Sequence, residues 1–392
     1  MQLAAYGAQD AYLTTKPEVT FFRAVYKRHT NFAMEAMEQT LSGDASFGAT
    51  SLTCRISRNG DALGPVYVRT SLPALTDDTS SAGYCGRVGF RLLKEVDFRV
   101  GGQTIDKHYS NWMHVWTELT HSYDQKRLLD ELVGHTDHDL VREDASQGEG
   151  TAALSLNIPL LFSFCRNPGL ALPLIALQYH EVELRFQLAS ADECAADGSL
   201  ATSITLGSTS VWCDYYFFDA EERKEFASQP HEYLIETLQQ EVHTLTAGAT
   251  NNVRLTINHP TKMLVWSARG STNNSDAFCD FTDGSDGQVI TQARLKLNGQ
   301  ERFATRDGTY FNYVQPYQHT GCYPARGIHM YSFALKPAEH QPSGSCNMSR
   351  IDNINLELTT ASGVGSTTLE VNALAYNVFR VASGMGGNAF AN

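Results

Sequence analysis

Val96-Asp97-Phe98-Arg99-Val100 puts Val96, Phe98 and Val100 on one face of an extended chain and the charges of Asp97 and Arg99 on the other. Gly101-Gly102-Gln103 then turns the chain back into Thr104-Ile105-Asp106, as a hairpin would. Far along the chain the same pattern returns. Ala293-Arg294-Leu295-Lys296-Leu297 alternates in the same way and ends in Asn298-Gly299-Gln300. A period of two is the mark of a strand with one face in a core and one in water. Leu154 to Ile158, Val182 to Phe186, Val253 to Ile257 and Ile354 to Leu358 carry it too, separated by turns rich in Gly, Ser, Asp and Asn. The layout is all-β rather than alternating strand and helix.

Helical period is confined to two places. Trp112, Val115, Trp116, Leu119 and Tyr123 form one stripe, continued or restarted around Leu128, Leu129 and Leu132. This stripe reads as core packing or as a cover for a sheet edge, with a contact between subunits as the sharper alternative. Asp219, followed three residues later by Glu222, opens a short second helix with a capping-box-like start, and Pro230 closes it.

The order of strand types is the same on both sides of that second helix. Leu161-Phe162-Ser163-Phe164 corresponds to Met330-Tyr331-Ser332-Phe333, Val182-Glu183-Leu184 to Leu356-Glu357-Leu358, and Val211 to Tyr216 to Val371 to Tyr376. The economical reading is one domain present twice. Each copy suits a jelly roll, two four-stranded sheets face to face. The expected fold is therefore a double jelly roll: two consecutive eight-stranded antiparallel β-sandwiches, a short helical linker, and one inserted helical segment in the first roll. The expected boundaries are an N-terminal arm (1–30), first roll (31–218), linker (219–231), second roll (232–383) and C-terminal tail (384–392). Gly384-Met385-Gly386-Gly387 looks too flexible for a strand.

Composition removes several function classes. Lys and Arg total 30 against 43 Asp and Glu, a formal charge of −13, so direct binding to nucleic acid is not expected. Charged residues make up only 19% of the chain, below the roughly 25% of an ordinary soluble domain, which suggests that partners cover part of the surface. The apolar stretches 158–165 and 169–177 fall short of the ~18 residues of a membrane span. The first residues lack the pattern of a signal peptide, and Gln2 excludes myristoylation. The 8 cysteines are scattered singly, which reads as reduced thiols. The Asn-x-Ser sites at Asn273 and Asn347 are then chance matches.

Three long loops, 77–86, 134–150 and 271–288, are candidate functional surfaces. The last two are acidic, with Asp137, Asp139, Glu143, Asp144, Glu149, Asp276, Asp280, Asp283 and Asp286 against Arg142. The segment from Lys16 to His29 is basic, with Lys16, Arg23, Lys27 and Arg28 against Glu18.

No motif carries chemistry. His135-Thr136-Asp137-His138-Asp139 has metal-ligand residue types but sits in a polar loop, and the spacing of Asp280, Asp283 and Asp286 is not that of a calcium loop. Gly384-x-Gly386-x-x-Ala389 lies outside any βαβ unit, and no nucleophile elbow, zinc-protease helix or P-loop is present. The chain is expected to have no catalytic residues, no metal site and no cofactor.

Three long stretches carry a family resemblance. They are Gly7 to Thr14 with Val19-Thr20-Phe21-Phe22 and Tyr26 to Ala33; Tyr331 to Pro337 with Gln341 to Ser345 and Asn347 to Asp352; and Tyr376 to Arg380 with Ser383 to Phe390. In order and across essentially the whole chain, these resemble the major capsid proteins of nucleocytoplasmic large DNA viruses, the group holding the phycodnaviruses and iridoviruses. The resemblance implies a double jelly roll that forms homotrimers. These would be pseudo-hexagonal capsomers tiling an icosahedral shell around an internal membrane. It implies a late virion protein, assembled in the host cytoplasm, that contacts neighbouring capsomers and minor capsid proteins. The N-terminal arm would face inward, near that membrane, and the acidic loops outward. On this reading Phe21, Phe22, Tyr26, Lys27 and Arg28 are the interaction residues of the arm. The alternatives are a scaffold or minor capsid protein of the same family, and a carbohydrate-binding or hydrolytic two-roll protein.

Overall fold

The computed structural model describes residues 3–75, 83–135, 153–195, 204–270, 278–283 and 287–390. Most of the three long loops, including Asp137, His138, Asp139, Glu143, Asp144, Glu149, Asn273, Asp276 and Asp286, lies outside the described residues.

The first roll has the principal strands β1 (Phe32–Gln39), β2 (Leu52–Arg55), β3 (Ala62–Leu72), β4 (Leu93–Val100), β5 (Gln103–Tyr109), β6 (Leu154–Pro159), β7 (Val182–Leu188) and β8 (Ser210–Phe218). They form two sheets, β1-β8-β3-β6 and β2-β7-β4-β5. The second roll has β9 (His231–Leu245), β10 (Thr250–Leu255), β11 (Pro260–Gly270), β12 (Ile290–Leu297), β13 (Gln300–Glu301), β14 (Ile328–Ser332), β15 (Ile354–Thr360) and β16 (Thr367–Ala382). Its sheets run β9-β16-β11-β14 and β10-β15-β12-β13, so the first roll's neighbour order is repeated strand for strand. Two-residue ladders, such as Leu172–Pro173 on β3, extend the sheets at their margins. All the pairings are antiparallel, and this is the double jelly roll.

The paired hairpins form where the alternation places them. In β4, Val96, Phe98 and Val100 are buried, and Gly101 and Gly102 take φ of 57° and 83° before β5 begins. In the second roll Asn298 and Gly299, at 50° and 78°, make the same two-residue turn. Left-handed backbone at both central residues matches the twist of the strands they join.

Between β5 and β6 lie two helices, α1 (Ser110–Thr120) and α2 (Tyr123–Val133). Ser122 starts α2 with a capping box to Gln125. Trp112 and Trp116 are core residues with ring centroids 5.5 Å apart, whereas Tyr123 is exposed and off the buried face. The linker helix α3 (Ala220–Ser228) is capped by Asp219, whose carboxylate accepts from the Ala220 N–H, while Glu222 faces the arm's Thr30. The expected capping box is therefore not the one formed.

Two expectations are corrected. Leu161 to Phe164 is not the counterpart of Met330 to Phe333, because Ser163–Arg166 is a helical turn and the strand equivalent to β14 is β6. Phe162 and Phe164 are apolar because they pack on Phe98, not because they form a strand. The glycine-rich end is also not a loose tail. Met385–Asn388 is a strand, β17, paired with β16. Glycine stands at 386 because a Cβ there would lie 2.6 Å from Leu177 Cδ2 and 3.0 Å from Phe379 Cζ.

The two rolls share a core. On β11, Leu264, Trp266 and Ala268 face the second roll's own sandwich, while Met263 and Val265 join the first roll's cluster. β16 divides likewise, with Leu369, Val371 and Ala373 in the second roll's core and Leu374, Phe379 and Val381 in the shared one. A sheet buried on both faces reads as continuous apolar sequence, which is why β11 lacks alternation from Met263 to Trp266, whereas β16 still alternates from Leu369 to Ala373.

Candidate interaction surface

The arm, residues 3–31, leaves the body almost untouched. Its only regular element is a helical turn, Ala11–Thr14, with Asp10 Oδ2 accepting from the Gly7 N–H at 2.7 Å. Phe21, Phe22 and Tyr26 are 93, 99 and 88% exposed, and Lys27 and Arg28 are exposed beside them. Among the described residues none of these five side chains has a hydrogen-bond, ion-pair or ring partner. Three short contacts tether the arm's end: the Asp219 N–H donates to the Asn31 carbonyl, Thr30 Oγ1 donates to Glu222 Oε1 at 3.2 Å, and His29 meets the edge of Phe32. So much unpartnered aromatic surface on a folded chain makes the arm the candidate interaction segment.

The arm runs into β1, an edge strand hydrogen-bonded on one side to β8 and, among the described residues, open on the other. Phe32 to Ala36 are exposed. Beside it stands α3, which buries no residue of its own. One bidentate ion pair holds α3 in place: Arg223 Nε lies 2.9 Å from Asp61 Oδ1 and Nη2 lies 3.0 Å from Oδ2, which also accepts from the Phe218 N–H. Phe226 on Phe218, with centroids 4.8 Å apart, completes the anchor. β1 and α3 together present Glu35, Glu38, Glu221, Glu222 and Glu225. Sequence reasoning missed this acidic shelf because Asp61 and Arg223 are distant in the chain and nothing local links them.

The seam between the rolls is polar as well as apolar. Lys262 is fully buried and ion-paired with buried Glu236, which Arg166 Nη2 also approaches at 2.9 Å. Burial pulls the Lys262 ammonium below its usual range, and the charge of Glu236 opposes that shift. Ser163 Oγ donates to the Glu236 carbonyl and accepts its N–H, and Asp106 Oδ1 accepts from the Leu238 N–H. Two clefts open along the seam, one of about 490 Å³ at Trp116, Arg166 and Glu236, and one of about 1010 Å³ between α1, α2 and residues 321–326.

Among the described residues no group of three or more His, Cys, Asp and Glu could hold a metal. Asp280 and Asp283 accept from the N–H groups of Thr282 and Gly287, which is loop capping. Burial pushes the Cys54, Cys165 and Cys194 thiols up to about 12, so they are packing groups rather than thiolates.

Comparisons with known proteins agree with the fold. Residues 20–219 match the family model described as the major capsid protein N-terminus, and residues 222–387 match that of the large eukaryotic DNA virus major capsid protein. A major capsid protein of Pyramimonas orientalis virus is 44% identical over 420 residues, spanning 100% of this chain and 99% of that one. The crystal structure of VP54 from the Chlorella virus PBCV-1 superposes with a TM-score of 0.84 at 37% identity, covering 95% of this chain and 100% of that one. The Faustovirus major capsid protein shares the fold alone, with a TM-score of 0.77 at 13% identity over 96% and 94% of the two chains. The chain belongs to the major capsid protein family of the large eukaryotic DNA viruses, and its role is structural, in the virion capsid.

Proposed function

We propose that this chain builds the shell as a homotrimer, each trimer a pseudo-hexagonal capsomer in an icosahedral capsid around an internal membrane, without catalytic activity of its own. The observation that carries the reading is the strand-for-strand repetition of the first roll in the second. Three chains with two like rolls each supply six similar walls, and a closed ring of identical interfaces needs no further component. The shared core and the buried Glu236–Lys262 pair support it, because a footprint that tiles a surface requires the two rolls to hold one fixed angle. The domain division of the sequence reading belongs to the same proposal, except that the last segment is a strand.

The arm, with Phe21, Phe22, Tyr26, Lys27 and Arg28, is proposed as the assembly element. It would lie on the inner side near minor capsid proteins and membrane, in particles assembled in the host cytoplasm. Its basic charge suits anionic head groups or acidic partners. The test is the mass of the purified chain by analytical ultracentrifugation, with its copy number in mature virions. A species of three times the 43.3 kDa chain mass, dominant in the particle, is expected. A stable monomer at micromolar concentration overturns the trimer, and near absence from virions favours a scaffold instead.

A further inference from the structure

The arm and the shelf beside its root are complementary, yet within one chain they meet only at the tether of Thr30 and Asn31. Val19-Thr20-Phe21-Phe22-Arg23-Ala24-Val25-Tyr26 is rich in β-branched and aromatic residues, the composition that pairs as a strand, but here it belongs to no strand and turns at Phe21 to Arg23. A few residues on, β1 offers an edge whose backbone donors and acceptors have, among the described residues, no neighbour on one side. Such an edge is a template for a further strand.

The side chains match as well. The arm presents aromatic rings among Arg23, Lys27 and Arg28, while the shelf presents half-exposed Phe32, exposed Met34 and Glu38 on one face of β1, with Glu35 on its other face and Glu221 on α3. Among the described residues, Glu35, Glu38 and Glu221 have no cationic partner. The nearby Arg223 is already committed to Asp61.

We propose that the arm of one copy of this chain docks on the β1–α3 shelf of another copy, adding a strand to the open edge of β1 and pairing its basic residues with Glu35, Glu38 and Glu221. The inference rests on the shell-building reading and names the surface that receives the arm. An exchange of this kind uses only groups already exposed, so it links subunits without disturbing either roll.

The experiment follows chymotrypsin cleavage of the full-length chain at Phe21, Phe22 and Tyr26, read by mass spectrometry across a dilution series. Four proteins are compared: the natural chain, an arm reversal (R23E/K27E/R28E), a shelf reversal (E35K/E38K/E221K), and both reversals together. The altered residues are exposed, and the melting temperature of each variant confirms folding. Cleavage should slow by about tenfold as the natural chain self-associates, a change worth about 1.4 kcal/mol. Either reversal should abolish the protection and the combination should restore it, with salt weakening both protected proteins. Protection that survives dilution to monomer means the arm folds onto its own chain and overturns the proposal. So does a combined variant that stays unprotected. If trimers form in the ultracentrifuge while the arm is cleaved at one rate throughout, the shelf assignment fails and the shell-building reading stands. If neither trimer nor protection appears, both fail.

Discussion

Replacing Gly386 with alanine tests whether β17 clasps the two rolls together. The strand hydrogen-bonds to β16 of the second roll and also reaches the first. The Tyr179 N–H donates to the Gly384 carbonyl at 2.9 Å, Asn388 Nδ2 donates to the Ile105 carbonyl at 3.1 Å, and His180 Nδ1 lies 2.9 Å from the Gly386 carbonyl. Gly386 itself fits against Leu177, Phe379 and Val100, all buried, so the added methyl has nowhere to go without moving a packed side chain. Overpacking of this kind costs about 1–3 kcal/mol. For a 392-residue chain unfolding as one unit, at about 2.1 cal/mol/K per residue, that lowers the midpoint by about 1 °C per kcal/mol. Ending the chain after Ser383 removes those three contacts and the β16 ladder together. At about 1 kcal/mol net per hydrogen bond, this costs several kcal/mol.

The loss should fall on the coupling between the rolls rather than inside either one. Scanning calorimetry separates these outcomes. The natural chain is expected to unfold in one transition, the alanine variant in one transition at lower temperature, and the truncated chain in two. A truncated chain that melts in a single transition at the natural temperature would refute the clasp.

The seam and the second core make two further predictions. Glu236→Gln leaves Lys262 and Arg166 facing each other without their shared carboxylate and should cost about 3–5 kcal/mol, whereas Lys262→Met leaves Glu236 paired with Arg166 and should cost less. Urea denaturation of both variants checks the order, and equal losses would contradict it. His329 is buried against Trp266, with Nδ1 3.2 Å from the Gly308 carbonyl, and burial lowers its pKa to about 4. The unfolded chain therefore binds a proton at a higher pH than the folded one. The stability from keeping this ring neutral is present above its ordinary value near 6.5 and is lost as the pH falls toward 4, by about 3 kcal/mol. In His329→Gln the acid limb of stability against pH should be shallower by that amount, and an unchanged limb would remove His329 as its source.

Legibility from sequence followed the number of faces each element buries. Strands with one wet face, β4 and β12 above all, announced themselves by alternation, and their turns by glycine and asparagine in left-handed backbone. The sheet between the rolls did not, because a strand dry on both sides, such as Met263-Leu264-Val265-Trp266, has no polar face to alternate with. A short apolar run without alternation can equally be a helical turn, so Leu161 to Phe164 was paired with the wrong partner. The C-terminal glycines misled for a related reason. Glycine is read as freedom, but at 386 it marks a place with no room for a side chain.

The basic charge of the arm was legible in composition, the arm itself only through the family resemblance, and the structure leaves its aromatic residues exposed. Its receiving shelf was not legible, nor was the Glu236–Lys262 pair, since each depends on residues brought together only by folding. That division has a physical origin. Repeated local pattern specifies each roll on its own, whereas the angle between rolls depends on single residues at the seam whose roles leave no period. A substitution at Glu236, Lys262 or Gly386 can therefore leave two well-formed rolls that no longer tile.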